Sequence, residues 1–165
     1  MAVIEIETLV RAPVERVFDL ARSVDLHVES TARTGERAVG GVVSGLLGLG
    51  EEVTWRARQF GVWQRVSSRI TMYERPVHFR DSMVRGAFRR FDHDHFFAAE
   101  GAGTVMRDVF DFTSPGGWLG WLAERAFLTR YLRALLVRRN QAIKETAESG
   151  RWAAYLERRA GAAGE

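Results

Sequence analysis

The chain has 165 residues, 46% of them hydrophobic and 27% charged, with 24 basic against 21 acidic side chains and a net charge of +3. That is enough for one domain with a sizeable core. The basic excess is mild and no basic block is interleaved with aromatics, which argues against a nucleic-acid partner. With no cysteine, disulfides and thiolate metal sites are excluded.

The opening segment alternates. Ile4, Ile6, Thr8 and Val10 fall on one side, and Glu5, Glu7 and Arg11 on the other, which predicts a strand over 2–11. It lacks the basic start and apolar run of a signal peptide, and no apolar run has membrane-spanning length. A cytoplasmic location without stable membrane insertion is therefore expected. Pro13 suits a first helical turn, and Val14, Val17, Phe18 and Ala21 repeat at helical spacing to about Arg22. Ser23 is placed to cap a second short helix through Val24, Leu26 and His27.

A short strand is predicted over 34–39. Residues 40–50 hold five glycines. The segment reads as a mobile loop whose Val42, Val43, Leu46, Leu47 and Leu49 need a dry surface, and so as a lid or pocket lip. No lysine or helix start follows, so it is not a phosphate cradle. From Glu51 the chain is nearly all strand. Val53, Trp55 and Ala57 alternate with Thr54, Arg56 and Arg58; after a turn at Phe60-Gly61, the set Val62 to Met72 alternates with Trp63 to Tyr73. Arg75-Pro76 ends that strand. Strands over 77–85, 89–99 and 103–113 follow, split by Gly86 and by Gly101-Ala102-Gly103, which makes an antiparallel meander.

Ser114-Pro115 signals a helix entry, and a helical pattern runs from about Trp118 to about Glu148, before Gly150. Its stripe carries Trp121, Leu122, Leu128, Leu132, Leu135, Leu136 and Ile143. About thirty residues at 1.5 Å each span roughly 45 Å, so this helix must lie along the whole sheet. Residues 1–148 are read as the domain. The tail 149–165 is read as a short helix around Trp152, Tyr155 and Leu156, or as disordered.

The three strands between Phe79 and Phe112 carry an unusual inner face. Phe79, Met83, Phe91, Phe97, Met106, Phe110 and Phe112 share it with Asp81, Arg85, His93, His95 and Asp108. Unpaired buried charge is costly, so this face suits a partly wet cavity better than a plain core. Turns at Gly86-Ala87-Phe88 and at Gly101-Ala102 set Asp81 opposite His93, His95 opposite Asp108, and Phe97 opposite Met106. Two Asp–His pairs on a cavity wall are the expectation.

The order of strand, two small helices, six strands and one long C-terminal helix resembles the START and birch-pollen-allergen superfamily, also called SRPBCC. Local echoes are Ala12-Pro13-Val14-Glu15-Arg16-Val17-Phe18-Asp19, the strand end Tyr73-Glu74-Arg75-Pro76, and Asp108-Val109-Phe110-Asp111-Phe112. The proline-led opening resembles bacterial polyketide cyclase/dehydrase and lipid transport members. The resemblance covers residues 2 to 148. It implies an α+β helix-grip fold: a curved seven-stranded antiparallel sheet wrapped around the long helix, with a cavity between them. Members bind sterols, lipids, polyketides, quinones or plant hormones; some are cyclases or hydrolases, and others only carry ligands. No universal catalytic motif exists, so no catalytic residue is carried over.

The leading reading is binding or transport of a hydrophobic small molecule, without a cofactor. The expected ligand-binding set is Trp55, Phe79, Asp81, Met83, Arg85, Phe91, His93, His95, Phe97, Met106, Asp108, Phe110, Leu128 and Leu132. An aromatase/cyclase-type enzyme is the alternative. There a cavity histidine would be the general base, from the candidates His93, His95, Asp81 and Asp108, and Arg85 would steady an enolate oxygen. A protein-interaction module with a vestigial cavity is the third reading. His93-Asp94-His95 has the spacing of two metal ligands on one strand face, with Asp81 or Asp108 as a third. The resemblance offers no common metal site, and none is assigned. His27 and His78 are read as surface or cap positions. The oligomeric state is left open between monomer and dimer.

Overall fold

A computed structural model of the chain describes residues 2–59, 61–114 and 127–156. The alternating opening is β1 (Ala2–Val10), with Ile4 and Val10 fully buried. Helix α1 (Val14–Ala21) starts directly after Pro13 and buries Val17, Phe18, Leu20 and Ala21. Helix α2 (Val24–Ser30) follows Ser23, whose Oγ accepts a hydrogen bond from the Leu26 N–H at 3.3 Å.

Six strands come next: β2 (Arg37–Gly41), β3 (Glu52–Gln59), β4 (Val62–Glu74), β5 (His78–Arg85), β6 (Arg90–Glu100) and β7 (Gly103–Thr113). The long helix is α3 (Thr129–Glu148). A 3-10 turn, Gly150–Trp152, and the short α4 (Ala153–Leu156) end the described chain. The predicted start of the long helix, with Trp118, Trp121 and Leu122, lies outside the described residues, as does the tail beyond Leu156.

All seven strands form one antiparallel sheet in the order β1-β7-β6-β5-β4-β3-β2. Short turns make sequence neighbours into spatial neighbours, and β1 pairs with β7. Gly101, at φ 57°, supplies the left-handed turn between β6 and β7. The register that results pairs Phe97 with Met106, His95 with Asp108, and Asp81 with His93.

Two bulges between β4 and β5 change which side chains face inward. Between Ile70 and Met72 the pairing shifts by one residue, so Met72 turns out, 46% exposed, and Tyr73 turns in against Phe18. Strict alternation puts Met72 on the Ile70 face. The second bulge pairs Ser68 with Met83 but Ser67 with Arg85, leaving Val84 as the extra residue. Arg85 thereby joins the outer face and is exposed, which corrects its expected place on the cavity wall.

The glycine-rich segment is pinned to α2 rather than loose. Val24 N–H donates to Gly45 O at 2.9 Å, Leu47 N–H donates to Arg22 O at 3.1 Å, and Leu46 and Leu47 are buried. Val42 is partly buried against the core, but Val43 and Leu49 stay exposed, so only part of the apolar set finds a dry surface.

Helix α3 lies against β1 and the two small helices. Lys144 Nζ donates to Leu9 O at 2.5 Å, Arg133 Nη1 to Glu5 O at 3.2 Å, and Arg139 Nη2 to Ala21 O at 2.6 Å. Between helix and sheet the apolar interior falls into two clusters. One surrounds Val10, Phe18, Phe79, Phe97 and Ile143, with Trp152, Tyr155 and Leu156 packed on it. The other surrounds Ile4, Phe91, Phe110, Phe112 and Leu132.

Asp19 on α1 ties this layer to the end of β4, with Arg22 Nη2 at 2.7 Å and Arg75 Nη2 at 2.8 Å. Burial alone would raise its pKa, but the hydrogen bonds from Arg75 and Arg22 hold it below the usual 3.8. A carboxylate whose folded pKa is depressed stabilises the protein above its unfolded pKa, and that contribution disappears as pH falls through the folded value. Arg75 is exposed, so solvent screens much of the pairing, and Asp19→Asn is expected to cost about 1 kcal/mol near neutrality. The deficit relative to wild type should shrink as pH falls through the lowered folded-state value of Asp19, below which both proteins lack this charge. Urea denaturation at several pH values reads both effects; a deficit that persists unchanged in acid contradicts the assignment.

Candidate functional site

Strand β6 places His93 and His95 on the inner face, two residues apart. They sit at the junction of the two apolar clusters. The His95 ring stacks on Phe79, centroids 4.2 Å apart, and the His93 ring meets Phe110 edge-on at 5.2 Å. The two imidazoles are 3.8 Å apart. Asp81 comes from β5 on one side and the fully buried Asp108 from β7 on the other.

The backbone register pairs each histidine with one carboxylate, but each ring reaches both. His93 Nε2 is hydrogen-bonded to Asp108 Oδ1 at 3.1 Å, and its Nδ1 lies 3.6 Å from Asp81 Oδ1. His95 Nε2 is hydrogen-bonded to Asp81 Oδ1 at 3.2 Å, and its Nδ1 lies 2.6 Å from Asp108 Oδ1 without hydrogen-bond alignment. In place of the two separate pairs that alternation predicts, the cluster is one unit of four residues.

Helix α3 supplies two more members. Asn140 Nδ2 donates to Asp108 Oδ2 at 2.6 Å. Arg139 Nη1 is buried 3.6 Å from Asp108 Oδ1 with no hydrogen bond of its own. Neither residue appears among the sequence candidates. Arg139 was hidden by its charge, and Asn140 by the lack of any local signal for where an isolated amide on a helix points. The only available clue was that both fall on the stripe side of Leu132, Leu136 and Ile143.

Burial pushes His93 down to about 4, with the neighbouring His95 charge adding to it, against weaker opposition from Asp108 and Asp81. Near neutrality this imidazole is uncharged. Burial would raise both carboxyls. For Asp108 the hydrogen bond from His93 and the neighbouring imidazoles outweigh it and hold the group well below 3.8; for Asp81 the hydrogen bond from His95 leads the same reversal.

A cavity of about 180 Å³ opens beside this cluster, between the sheet and α3. Val53, Trp55, Ile70, Leu132 and Leu136 give it apolar walls, and Asp81, His93, His95 and Arg139 form its polar end. His27 and Glu36 also line it. His27 stacks on Trp55 at 4.2 Å, and its Nε2 is 3.2 Å from Glu36 Oε1, so it is part of the wall rather than a surface residue. His78 is not isolated either. On the outer face it pairs with Asp94 at 2.7 Å and stacks on Phe96 at 4.5 Å.

Of the residues singled out in the sequence, Trp55, Phe79, Asp81, His93, His95, Phe110 and Leu132 line this cavity. Asp108 lies directly behind the histidines. Phe97 and Met106 are buried in the first apolar cluster and Phe91 in the second, with Met83 and Leu128 packed against it. These five fill the core beside the cavity and do not line it. Arg85 is outside. Among the described residues no helix is long and apolar enough to cross a membrane.

No protein-family description and no curated protein sequence matches the chain. Solved structures do match in shape. The crystal structure of TTHA0849 from Thermus thermophilus is 18% identical with a TM-score of 0.69, covering 88% of this chain and 99% of that one. A START superfamily protein from Mycobacterium smegmatis is 9% identical with a TM-score of 0.65, covering 88% and 97%. Major latex-like protein 151 from Panax ginseng is 12% identical with a TM-score of 0.61, covering 90% and 98%. At such identities the likeness is one of fold. With its curved seven-stranded antiparallel sheet closed over a long C-terminal helix, the chain has the SRPBCC/START-like helix-grip fold.

Proposed function

We propose that the protein binds a hydrophobic small molecule, of the lipid, polyketide or quinone kind, whose polar group meets Asp81, His93 and His95. One observation carries the reading: an apolar cavity runs between sheet and helix and ends on buried ionisable side chains. Apolar walls supply affinity at about 0.8 kcal/mol per buried CH₂, and a few fixed polar groups supply orientation. An apolar protein cavity of about 150 Å³ takes up benzene. At about 180 Å³ this one suits one or two rings or a short acyl chain, and not a whole sterol.

A cyclase role is less well supported. A general base works best when its pKa lies near the operating pH. Burial holds His93 at about 4, which makes it a weak base. The vestigial-cavity reading needs a filled interior, and this interior is open.

Native mass spectrometry followed by organic extraction tests for a co-purifying ligand. The decisive variant is Ser68→Leu, because Ser68 is buried on the cavity wall and leucine adds about three carbon groups to it. Displacing the equivalent of three CH₂ contacts should cost about 2.4 kcal/mol of ligand affinity, roughly 60-fold. The variant's own stability should hold or rise, since it fills space. Wild-type affinity in Ser68→Leu would sink the proposal.

A further inference from the structure

The Asp–His cluster sets four imidazole nitrogens against two carboxylates. Its two rings make four nitrogen-to-carboxylate approaches, at 2.6, 3.1, 3.2 and 3.6 Å. Only two of the four have hydrogen-bond geometry, His93 Nε2 with Asp108 and His95 Nε2 with Asp81. The other two, His93 Nδ1 to Asp81 and His95 Nδ1 to Asp108, lack it. Two carboxylates, Asp81 and Asp108, lie among these nitrogens, and Arg139 brings one guanidinium to 3.6 Å from Asp108.

The cluster also has a direction. His93 Nε2 and His95 Nδ1 both approach the same oxygen, Oδ1 of Asp108, which is fully buried and held on its other oxygen by Asn140. The other two ring nitrogens, His93 Nδ1 and His95 Nε2, both approach Asp81 Oδ1. One ligand atom from each of these three residues lies within 4.8 Å of the others. All three residues line the cavity.

We infer that Asp81, His93 and His95 bind one divalent transition-metal ion of the zinc or iron(II) class, whose open positions face the cavity. Bonds of about 2.0–2.1 Å at tetrahedral angles separate neighbouring ligand atoms by about 3.3 Å. Asp81 Oδ1 already stands 3.2 Å from His95 Nε2 and 3.6 Å from His93 Nδ1. Two imidazoles and one carboxylate suit these ions, whereas calcium and magnesium need oxygen donors. Asp108 takes the part of the carboxylate that orients metal-bound histidines through their second nitrogen. The ion would sit where the two ring nitrogens and Asp81 Oδ1 already approach one another, beside the second carboxylate, Asp108. The open positions would receive a carbonyl or hydroxyl oxygen of the molecule in the cavity. Metal binding at this site goes beyond ligand binding in the cavity and does not depend on it.

The test uses untagged full-length protein, stripped with a chelator and then titrated with zinc by calorimetry and with cobalt(II) by visible absorption. The expected result is saturation at one ion per chain, with cobalt d–d bands and a higher unfolding midpoint in zinc. His95→Gln and Asp81→Asn should each weaken binding by at least about 100-fold, and Asp108→Asn by about 10- to 100-fold. His78→Gln, on the outer face, should bind as wild type. If wild-type protein takes up neither ion, or if uptake survives both His95→Gln and Asp81→Asn, the inference is overturned. Should those variants fail to fold, the wild-type titration and the midpoint shift decide, and no uptake with no shift overturns it. The titrations use ligand-free protein, so a failure here leaves the cavity reading standing, and the converse holds for the extraction experiment.

Discussion

Asp108→Ala is expected to lose about 3–5 kcal/mol of folding stability, measured by urea denaturation of chelator-treated protein near neutral pH. The reason is what the carboxylate leaves behind. Its removal leaves Asn140 Nδ2 with only Thr8 Oγ1 at 3.4 Å, takes the partner of His93 Nε2, and strips Arg139 Nη1 of the counter-charge beside it. A buried ion pair contributes little net stability against a well-packed apolar replacement, but deleting one partner exposes the full desolvation penalty of the others. Asp108→Asn keeps the shape and an acceptor for Asn140, so it should cost less than half as much. A loss under about 1 kcal/mol for Asp108→Ala would mean that water already reaches these groups, contrary to their burial.

Phe18→Ala should be comparably severe, at about 3–5 kcal/mol. Phe18 is fully buried and meets Tyr73, Phe79 and Phe97 edge-to-face, with centroids 5.5, 5.4 and 5.2 Å away. The substitution removes the transfer energy of the ring, leaves a cavity that three rigid rings cannot collapse into, and forfeits the edge-to-face contacts. For a chain of this length the unfolding midpoint should fall by about 10 °C. The effect should also reach the site. Phe79 packs on Phe18 with one edge and stacks on His95 with its face, so loosening the first contact frees the second. Phe18→Leu, which refills most of the volume, should recover more than half of the loss; equal losses for both would point to something other than packing.

The strand pattern was readable because the side-chain period of a strand is two and the turns are marked by residues that permit them. Gly101-Ala102 alone sets the β6–β7 register, and with it the facing of His95 and Asp108. That both histidines face inward also followed from alternation, since the opposite choice exposes Phe91 and Phe97. The same rule failed at Tyr73 and Arg85, where bulges shift the pairing by one residue. A bulge is decided by how two strands fit the curvature of the whole sheet, and neither segment announces it locally.

From its own sequence the protein determined the order of its elements, the sheet register through its central hairpins, and the presence of two imidazoles and two carboxylates on one inner face. Tertiary structure alone decided that these four groups share their contacts, that Arg139 and Asn140 on α3 complete them, and that Arg85 stays outside. The physical reason is the range of the interactions. Alternation and turns act over a few residues, whereas the roll of α3 about its axis is set by packing against β1 and the small helices, more than a hundred residues away in the chain.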